Sequence, residues 1–295
     1  MLADPRITTE ERLRNLLATR YSQLATKHTT NDYTMKVLAL DADDTLWENI
    51  DFFLKAQSGL CELLKDYVSA SEVESRLFAK ESQNVPLYGY GTKSFVLSMV
   101  ELAIDLTEGY EAARARGQGF TSEKADFGAA HVQSGTDLVG LPSSVVLKIL
   151  DLGRDILRHP IHLLRGVEET VPILAQQYRL IVATKGELLE QEQKLERSGL
   201  KPYVEFMHVM SNKRVDDYRR LIDLLRVAPE DFIMVGNSLK SDVLPVIELG
   251  GTGVYIPHHY TWEHEAVDPE ISEKYHYIQL EHFGQLAEAL ESGKL

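Results

Sequence analysis

Cysteine and long apolar runs are scarce in this chain. Cys61 is the one cysteine among 295 residues, so no disulfide can form within the chain, and a cysteine-based zinc site is disfavoured. No apolar stretch approaches the length that crosses a membrane. The N-terminus lacks the charged-then-apolar pattern of a secretory signal. We therefore expect a cytoplasmic protein with no membrane partner.

Positive charge is also in short supply. The chain carries 31 basic and 45 acidic residues, for a net charge of −14. This balance argues against nucleic acid or an anionic membrane surface as the main partner. A small phosphorylated substrate stays compatible with it, because a bound metal ion can reverse the local field.

Strand and helix patterns alternate from Gly166 to the end of the chain. Short apolar runs over 179–184, 204–210, 231–236, 253–257 and 275–280 predict strands. Amphipathic stretches over 187–197, 216–226, 241–249 and 284–290 predict the helices between them. This alternation is typical of a parallel sheet covered on both faces, and the earlier apolar run 37–40 supplies one more strand. The predicted fold class is α/β, a Rossmann-like three-layer core.

The stretch between the first strand and Gly166 is helical in pattern. Helical spacing is found over 55–67, 71–81, 92–106 and 143–158, whereas 108–140 is Gly-rich and predicts a long loop. An all-helical segment inserted into a sheet domain most naturally forms a second domain. We predict a core of residues 35–53 and 165–295, a helical cap domain of residues 54–164, and a helical N-terminal extension of residues 1–34.

The first strand ends directly in acidic residues. Asp41, Asp43 and Asp44 follow the run Val37–Leu40, and Thr45 comes next. In open α/β sheets, ligands bind beyond the carboxyl ends of the strands. Acids crowded there repel one another unless a positive group lies among them, and a divalent cation with oxygen ligands is the simplest candidate. The alternative is a polar turn that caps a helix, which Asp and Thr also favour.

Two later strands end in residues suited to phosphate. Thr184-Lys185-Gly186 closes a strand just before a helix, where a hydroxyl and free backbone N–H groups make an anion site. Lys213 follows the next strand and can neutralise phosphate charge. Taken singly, Thr184 is also an ordinary helix cap, and a lone lysine is usually solvated.

A fourth strand ends at Gly236, and polar oxygens follow it. Asn237 comes next, and Asp242 lies at the predicted start of a helix. The simpler interpretation of Asp242 is that it complements the helix dipole. The order of all four strand ends along the chain is what favours a shared site.

These four segments resemble the motifs of the haloacid dehalogenase-like (HAD) superfamily of phosphohydrolases. The first is Asp41-Ala42-Asp43-Asp44-Thr45, and Thr184, Lys213 and the segment 236–242 match the other three in order. The likeness covers residues 35–53 and 165–290. The inserted helical segment is similar to the family's C1-type cap.

The resemblance implies a role for each motif residue. Asp41 would attack phosphorus, Asp43 would act as general acid and base, and Thr184 and Lys213 would hold the phosphoryl oxygens. The implied cofactor is Mg²⁺. Its ligands would be Asp41, Asp43 through its carbonyl, Asn237 and Asp242.

One position departs from the family pattern. Asn237 stands where many relatives have Asp, and a neutral amide oxygen is a weaker Mg²⁺ ligand than a carboxylate. The resemblance nevertheless implies a metal-dependent phosphatase that acts on a small phosphomonoester. Two alternatives stay open, namely a weakly active relative that binds a phosphorylated ligand or partner, and a phosphomutase or other phosphotransferase.

Further residues are expected to contact the substrate. Thr45, Lys185 and Gly186 accompany the phosphate-binding motifs, while Tyr90 and Lys93 in the predicted cap are candidates for contacts with the leaving group. The sequence leaves the identity of the substrate and the oligomeric state open.

Overall fold

The computed structural model describes residues 35–115, 141–260, 262, 265, 267–268 and 274–292, with backbone only for residues 108–115. The predicted N-terminal helix and residues 116–140 of the predicted 108–140 loop lie outside the described residues. Residues 108–115, predicted as part of that loop, are helical instead. The strands are β1 (Val37–Leu40), β2 (Arg179–Lys185), β3 (Phe206–Met210), β4 (Phe232–Gly236), β5 (Thr252–Tyr255) and β6 (Ile278–Gln279). The helices are α1 (Ile50–Leu64), α2 (Ala70–Tyr88), α3 (Thr92–Ala115), α4 (Ser143–Arg158), α5 (Val167–Leu174), α6 (Leu188–Arg197), α7 (Val215–Leu225), α8 (Leu244–Ile247) and α9 (Leu286–Glu291).

The six strands form one sheet in the order β3-β2-β1-β4-β5-β6, and every adjacent pair is parallel. This confirms the predicted Rossmann-like α/β class. In the register, Leu40 at the end of β1 pairs with Val182 on one side and Val235 on the other. Asp41 therefore leaves the sheet at the middle of its carboxyl edge.

Alternating residues of the strands cover the two faces of the sheet. One face carries Leu38 and Leu40 of β1 and packs against α5 and α9. The other carries Val37 and Ala39 and packs against Tyr218 and its neighbours in α7. Burial on both faces explains why the strands are continuous apolar runs instead of alternating ones.

Helices α1–α4, called the cap below, have an apolar core of their own. Leu60, Leu77, Met99 and Ile149 supply one side chain each from the four helices, and all are fully buried. The predicted domain boundaries stay a prediction. No helix in the described part of the chain is long and apolar enough to cross a membrane.

Helix α2 is longer than the sequence predicts. The sequence predicts a helix over 71–81, but α2 continues through Pro86 to Tyr88. The side chain of Asn84 donates to Ser98 Oγ at 3.0 Å and to Glu101 Oε2 at 3.1 Å. These bonds to α3 hold the last turns of α2 in place, although Pro86 has no backbone N–H to donate to the helix.

The predicted helix over 241–249 is also different in detail. It begins as a π-helical turn, Leu239–Val243, and its α-helical part is only Leu244–Ile247. The π turn brings the side chain of Asp242 back over the end of β4, which matters for the site described next.

Candidate active site

A cavity of about 740 Å³ lies between the carboxyl edge of the sheet and the cap. Its sheet side is built from the loops after β1, β2, β3 and β4, so the topology brings all four predicted motifs to one place. The predicted site residues of the core on its lining are Asp41, Asp43, Thr184, Lys185, Gly186, Lys213, Asn237 and Asp242.

Lys213 joins two carboxylates at the base of this cavity. Its ammonium contacts Asp41 Oδ1 and lies 2.6 Å from Asp242 Oδ1. All three side chains are at least nine-tenths buried. Burial lowers the pKa of Lys213, but the two carboxylates outweigh this effect and raise it well above its usual value. Lys213 therefore stays charged and can stabilise negative charge next to Asp41.

Asp242 is held in place by the backbone after β4. Its Oδ2 accepts a hydrogen bond from the Ser238 amide at 3.0 Å, while its Oδ1 accepts from Lys213. A Cβ atom on Gly236 would lie 2.2 Å from Asp242 Oδ2. Glycine at position 236 is therefore what allows the carboxylate of Asp242 to lie against the strand end.

Thr45 lies behind Asp41 and not on the cavity surface, which corrects the expectation that it contacts substrate. Its side chain is 1% exposed, and its hydroxyl donates to Asp41 Oδ2 at 3.0 Å. The same hydroxyl lies 3.4 Å from Asn237 Oδ1. Thr45 thus orients Asp41, and it brings the amide oxygen of Asn237 to the same side of that carboxylate.

Asp43 is held by three donors from the core. Trp47 Nε1 and Lys194 Nζ donate to its Oδ1 at 2.8 Å and 3.0 Å, and Gln191 Nε2 donates to its Oδ2 at 2.7 Å. Burial alone would raise the pKa of Asp43, but the Lys194 charge and the hydrogen bonds outweigh it and lower the pKa below its usual value.

Sequence analysis missed Trp47, Gln191 and Lys194. Gln191 and Lys194 lie on α6, where polar residues at this spacing ordinarily indicate a solvated face. The structure instead buries both side chains, with exposures of 2% and 1%. The only signal in the sequence is the placement of α6 directly after the Thr184 motif.

Asp44 performs the capping role that its sequence position also allowed. Its Oδ1 accepts from the backbone N–H groups of Asn49 and Ile50, at 2.8 Å and 3.0 Å, where α1 begins. It takes a positive φ of 60°. Burial, helped by the charges of Asp43 and Asp41, raises its pKa to about 7. Asp44 therefore joins the loop after β1, residues 41–49 and called the catalytic loop below, to the first cap helix.

The Thr184 motif lines the cavity as predicted, although Lys185 has protein partners of its own. Its ammonium contacts Glu265, lies 3.1 Å from Ser241 Oγ and stands 4.4 Å from the centre of the Tyr90 ring. Gly186 has a positive φ of 114°, where other residues are strained. Thr184 is 1% exposed.

Glu265 is a fourth residue that the sequence did not reveal. One of its carboxylate oxygens accepts from Ser238 Oγ and Ser241 Oγ, both at 2.5 Å. Burial raises its pKa, but Lys185 and these hydroxyls outweigh burial and lower the pKa. Glu265 belongs to none of the four motifs, so only its contacts mark it as part of the site.

The cap closes the cavity with aromatic and acidic side chains. Tyr90 lines it and packs edge-on against Trp262, with ring centres 5.9 Å apart. Glu74 and Glu81 of α2 also line it, and burial raises the pKa of Glu81 to about 7. Among the described residues, none of the cap side chains on the lining is basic.

Lys93 does not line the cavity, which corrects the expectation that it contacts the leaving group. Its ammonium pairs with Glu187 on the core, and its side chain is 70% exposed. Its backbone N–H also donates to Glu187 Oε1, at 3.1 Å. Lys93 thus belongs to the contact between cap and core.

The oxygen donors near Asp41 suit a hard cation. Within the described residues, no group of three or more His, Cys, Asp or Glu side chains is arranged to hold a metal. Mg²⁺ needs fewer protein ligands, because it usually keeps several waters beside one or two carboxylates. Asp41 and the amide oxygen of Asn237, both beside the Thr45 hydroxyl, are therefore a chemically suitable pair.

Comparison with known proteins identifies what this chain is similar to. A family model of haloacid dehalogenase-like hydrolases matches residues 35–250. The structure of a haloacid dehalogenase-like family hydrolase from Xanthomonas campestris is 28% identical, covers 88% of this chain and 92% of its own, and has a TM-score of 0.61. No curated protein matches the chain.

Two more distant structures share the fold. A putative HAD-hydrolase from Bacillus subtilis is 13% identical, covers 87% of this chain and 99% of its own, and has a TM-score of 0.51. A putative beta-phosphoglucomutase from Thermotoga maritima is 13% identical, covers 88% of this chain and 100% of its own, and has a TM-score of 0.53.

Proposed function

Because this chain belongs to the haloacid dehalogenase-like hydrolases, we propose that it hydrolyses a small phosphomonoester. The observation that carries the proposal is the presence of Asp43 beside Asp41 on the cavity lining. An alkoxide leaving group needs a proton as it departs, whereas a halide does not. A second carboxylate at this point is therefore useful to a phosphatase and unnecessary to a dehalogenase.

The proposed reaction has two steps. Asp43 takes up a proton when the phosphate dianion binds, because that negative charge opposes the Lys194 charge that lowers the pKa of Asp43. A carboxylate oxygen of Asp41 then forms a bond to phosphorus while the bond to the leaving oxygen breaks, and Asp43 gives its proton to that oxygen. Water then attacks phosphorus while Asp43 takes a proton from that water, and the bond between phosphorus and Asp41 breaks, which releases phosphate and regenerates the Asp41 carboxylate. Lys213 and Thr184, both on the lining, stabilise the charge on the phosphoryl oxygens.

We propose Mg²⁺ as the cofactor, held by Asp41, the backbone carbonyl of Asp43 and Asn237. When bound, it would offset the repulsion between Asp41 and the phosphate. The Bacillus subtilis structure is described as bound to magnesium. Asp242 also positions Lys213, because its Oδ1 lies 2.6 Å from the Lys213 ammonium, and its role as a further metal ligand stays a prediction.

Phosphate release tests the proposal. The purified chain is assayed with p-nitrophenyl phosphate and a panel of small phosphomonoesters, with Mg²⁺ and after chelation, and halide release from 2-chloropropionate is measured in parallel. We expect Mg²⁺-dependent phosphate release and no halide release. Folded protein that releases no phosphate from any substrate would refute the proposal and favour a binding role.

Two variants and one control locate the chemistry. Asp41→Asn removes the nucleophile and should abolish phosphate release. Asp43→Asn should abolish turnover of alkyl phosphates but leave Mg²⁺ binding largely intact, as followed by the thermal shift on adding Mg²⁺. Asp216→Asn, at a side chain that is 82% exposed on α7, should leave activity unchanged.

A further inference from the structure

Among the lysines that the structure describes, Lys194 is the most completely buried one whose role the motifs leave unexplained. Its side chain is 1% exposed, and it lies 3.0 Å from Asp43 Oδ1, 2.7 Å from Asn49 Oδ1 and 3.2 Å from Glu190 Oε1. Burial lowers the pKa of Lys194, but the two carboxylates outweigh burial and raise it. An ammonium so placed is a fixed charge and donor with three oxygen partners.

The first consequence concerns the two oxygens of Asp43. Lys194 and Trp47 both donate to Oδ1, so the two lone pairs of that oxygen are used. Oδ2 accepts one bond, from Gln191. Asp43 lines the cavity and its side chain is 24% exposed. Oδ2 is therefore the oxygen with room for a proton or for a substrate oxygen.

The second consequence concerns the seating of the cap. Glu190, a partner of Lys194, accepts from the backbone N–H of Thr92 at 3.3 Å and from its hydroxyl at 3.1 Å, and so caps the start of α3. Asn49, the other partner, immediately precedes α1. Lys194 thus contacts both residues that lead into the cap, namely Glu190, which caps α3, and Asn49, which precedes α1.

We propose that Lys194 is a positioning residue that holds Asp43 with Oδ2 toward the leaving oxygen and links this orientation to the seated cap. The inference rests on the proposed phosphatase function. Lys194 itself does not touch the reacting atoms. Without it, Asp43 loses one of the two donors on Oδ1, and its carboxylate can turn away from the substrate.

The test uses the leaving group as a readout, because a proton donor matters most when the leaving oxygen is strongly basic. Lys194→Met is compared with wild type on p-nitrophenyl phosphate and on alkyl phosphates. We expect kcat/KM to fall roughly 10²-fold for alkyl phosphates and less than about tenfold for p-nitrophenyl phosphate. Lys194→Arg should restore part of the alkyl phosphate activity. Lys201→Met, at a 62% exposed side chain, is the matched control and should match wild type.

The outcomes separate the positioning role of Lys194 from the phosphatase function itself. Equal loss on all leaving groups would mean that Lys194 only stabilises the fold, which overturns the inference and leaves the phosphatase proposal standing. A wild-type chain that is inactive on every phosphomonoester overturns both. If Lys194→Met does not fold, Glu190→Gln and Lys194→Arg decide by the same ratio, since a leaving-group-dependent loss supports the role and a uniform loss refutes it.

Discussion

Replacing Trp47 with Phe tests how firmly the catalytic loop is held. Trp47 is fully buried, and its indole N–H donates to Asp43 Oδ1 at 2.8 Å. A hydrogen bond to a charged group contributes about 1.5–3 kcal/mol. The smaller ring leaves part of the site unfilled, which costs about 1–2 kcal/mol more by comparison with other large-to-small changes. We therefore expect Trp47→Phe to lose roughly 2.5–5 kcal/mol of unfolding free energy.

The measurement is denaturant unfolding followed by far-UV circular dichroism. A double-mutant cycle with Asp43→Ala separates the hydrogen bond from the packing, and we expect a coupling energy of about 1.5–3 kcal/mol. The matched cycle pairs Trp47→Phe with Asp216→Ala on the surface, where the coupling should be near zero. A Trp47–Asp43 coupling below about 0.5 kcal/mol, within the ordinary error of additivity, would refute the reasoning about the loop.

Three further changes probe other parts of the site. Gly236→Ala forces the carboxylate of Asp242 to move, because the new Cβ would lie 2.2 Å from its Oδ2. We expect more than a tenfold loss in the rate of phosphate release. The control is Gly199→Ala, whose new Cβ would have no atom within 4 Å, and it should affect stability only. His159 is buried, and burial lowers its pKa below 6.5, so the fold loses stability as the pH falls below 6.5. His159→Phe should reduce that slope of the unfolding free energy by up to about 1.4 kcal/mol per pH unit, and an unchanged slope would contradict this assignment. At about pH 8, above the pKa of about 7 of Glu81, Glu81→Gln should weaken a preference for amine-bearing over carboxylate-bearing phosphomonoesters roughly fivefold in kcat/KM, as about 1 kcal/mol between partly screened charges implies. The absence of any such preference in wild type at that pH would contradict the electrostatic argument.

The sequence predicted the residues on the sheet side of the cavity better than those on the cap side. Asp41, Thr184 and Lys213 each follow an apolar strand, so parallel topology alone brings them together. That inference needs only the strand pattern and the position of each residue after its strand. The same inference places Asn237 and Asp242 at this edge. It does not predict that Asn237 lies beside Thr45 while Asp242 bonds to Lys213.

The residues around Asp43 could not be predicted in the same way. Lys194 and Glu190 are four residues apart on α6, a spacing typical of a surface ion pair. Their burial depends on how the cap lies over α6, which is a long-range property. Likewise, the course of α2 through Pro86 depends on Asn84 bonding to α3, and nothing local in the sequence indicates that contact.

The contact between the cap and α6 also determines how an opening of the cap can be detected. Glu190 and Glu187 accept the backbone N–H groups of Thr92 and Lys93, and water can replace such polar partners. Breaking these bonds would expose little apolar surface, so opening at this contact should have a small heat-capacity change and little dependence on denaturant. Amide hydrogen exchange at Thr92 and Lys93 is then the measurement that reports it, since those two amides lose their acceptors before the rest of α3 is disturbed.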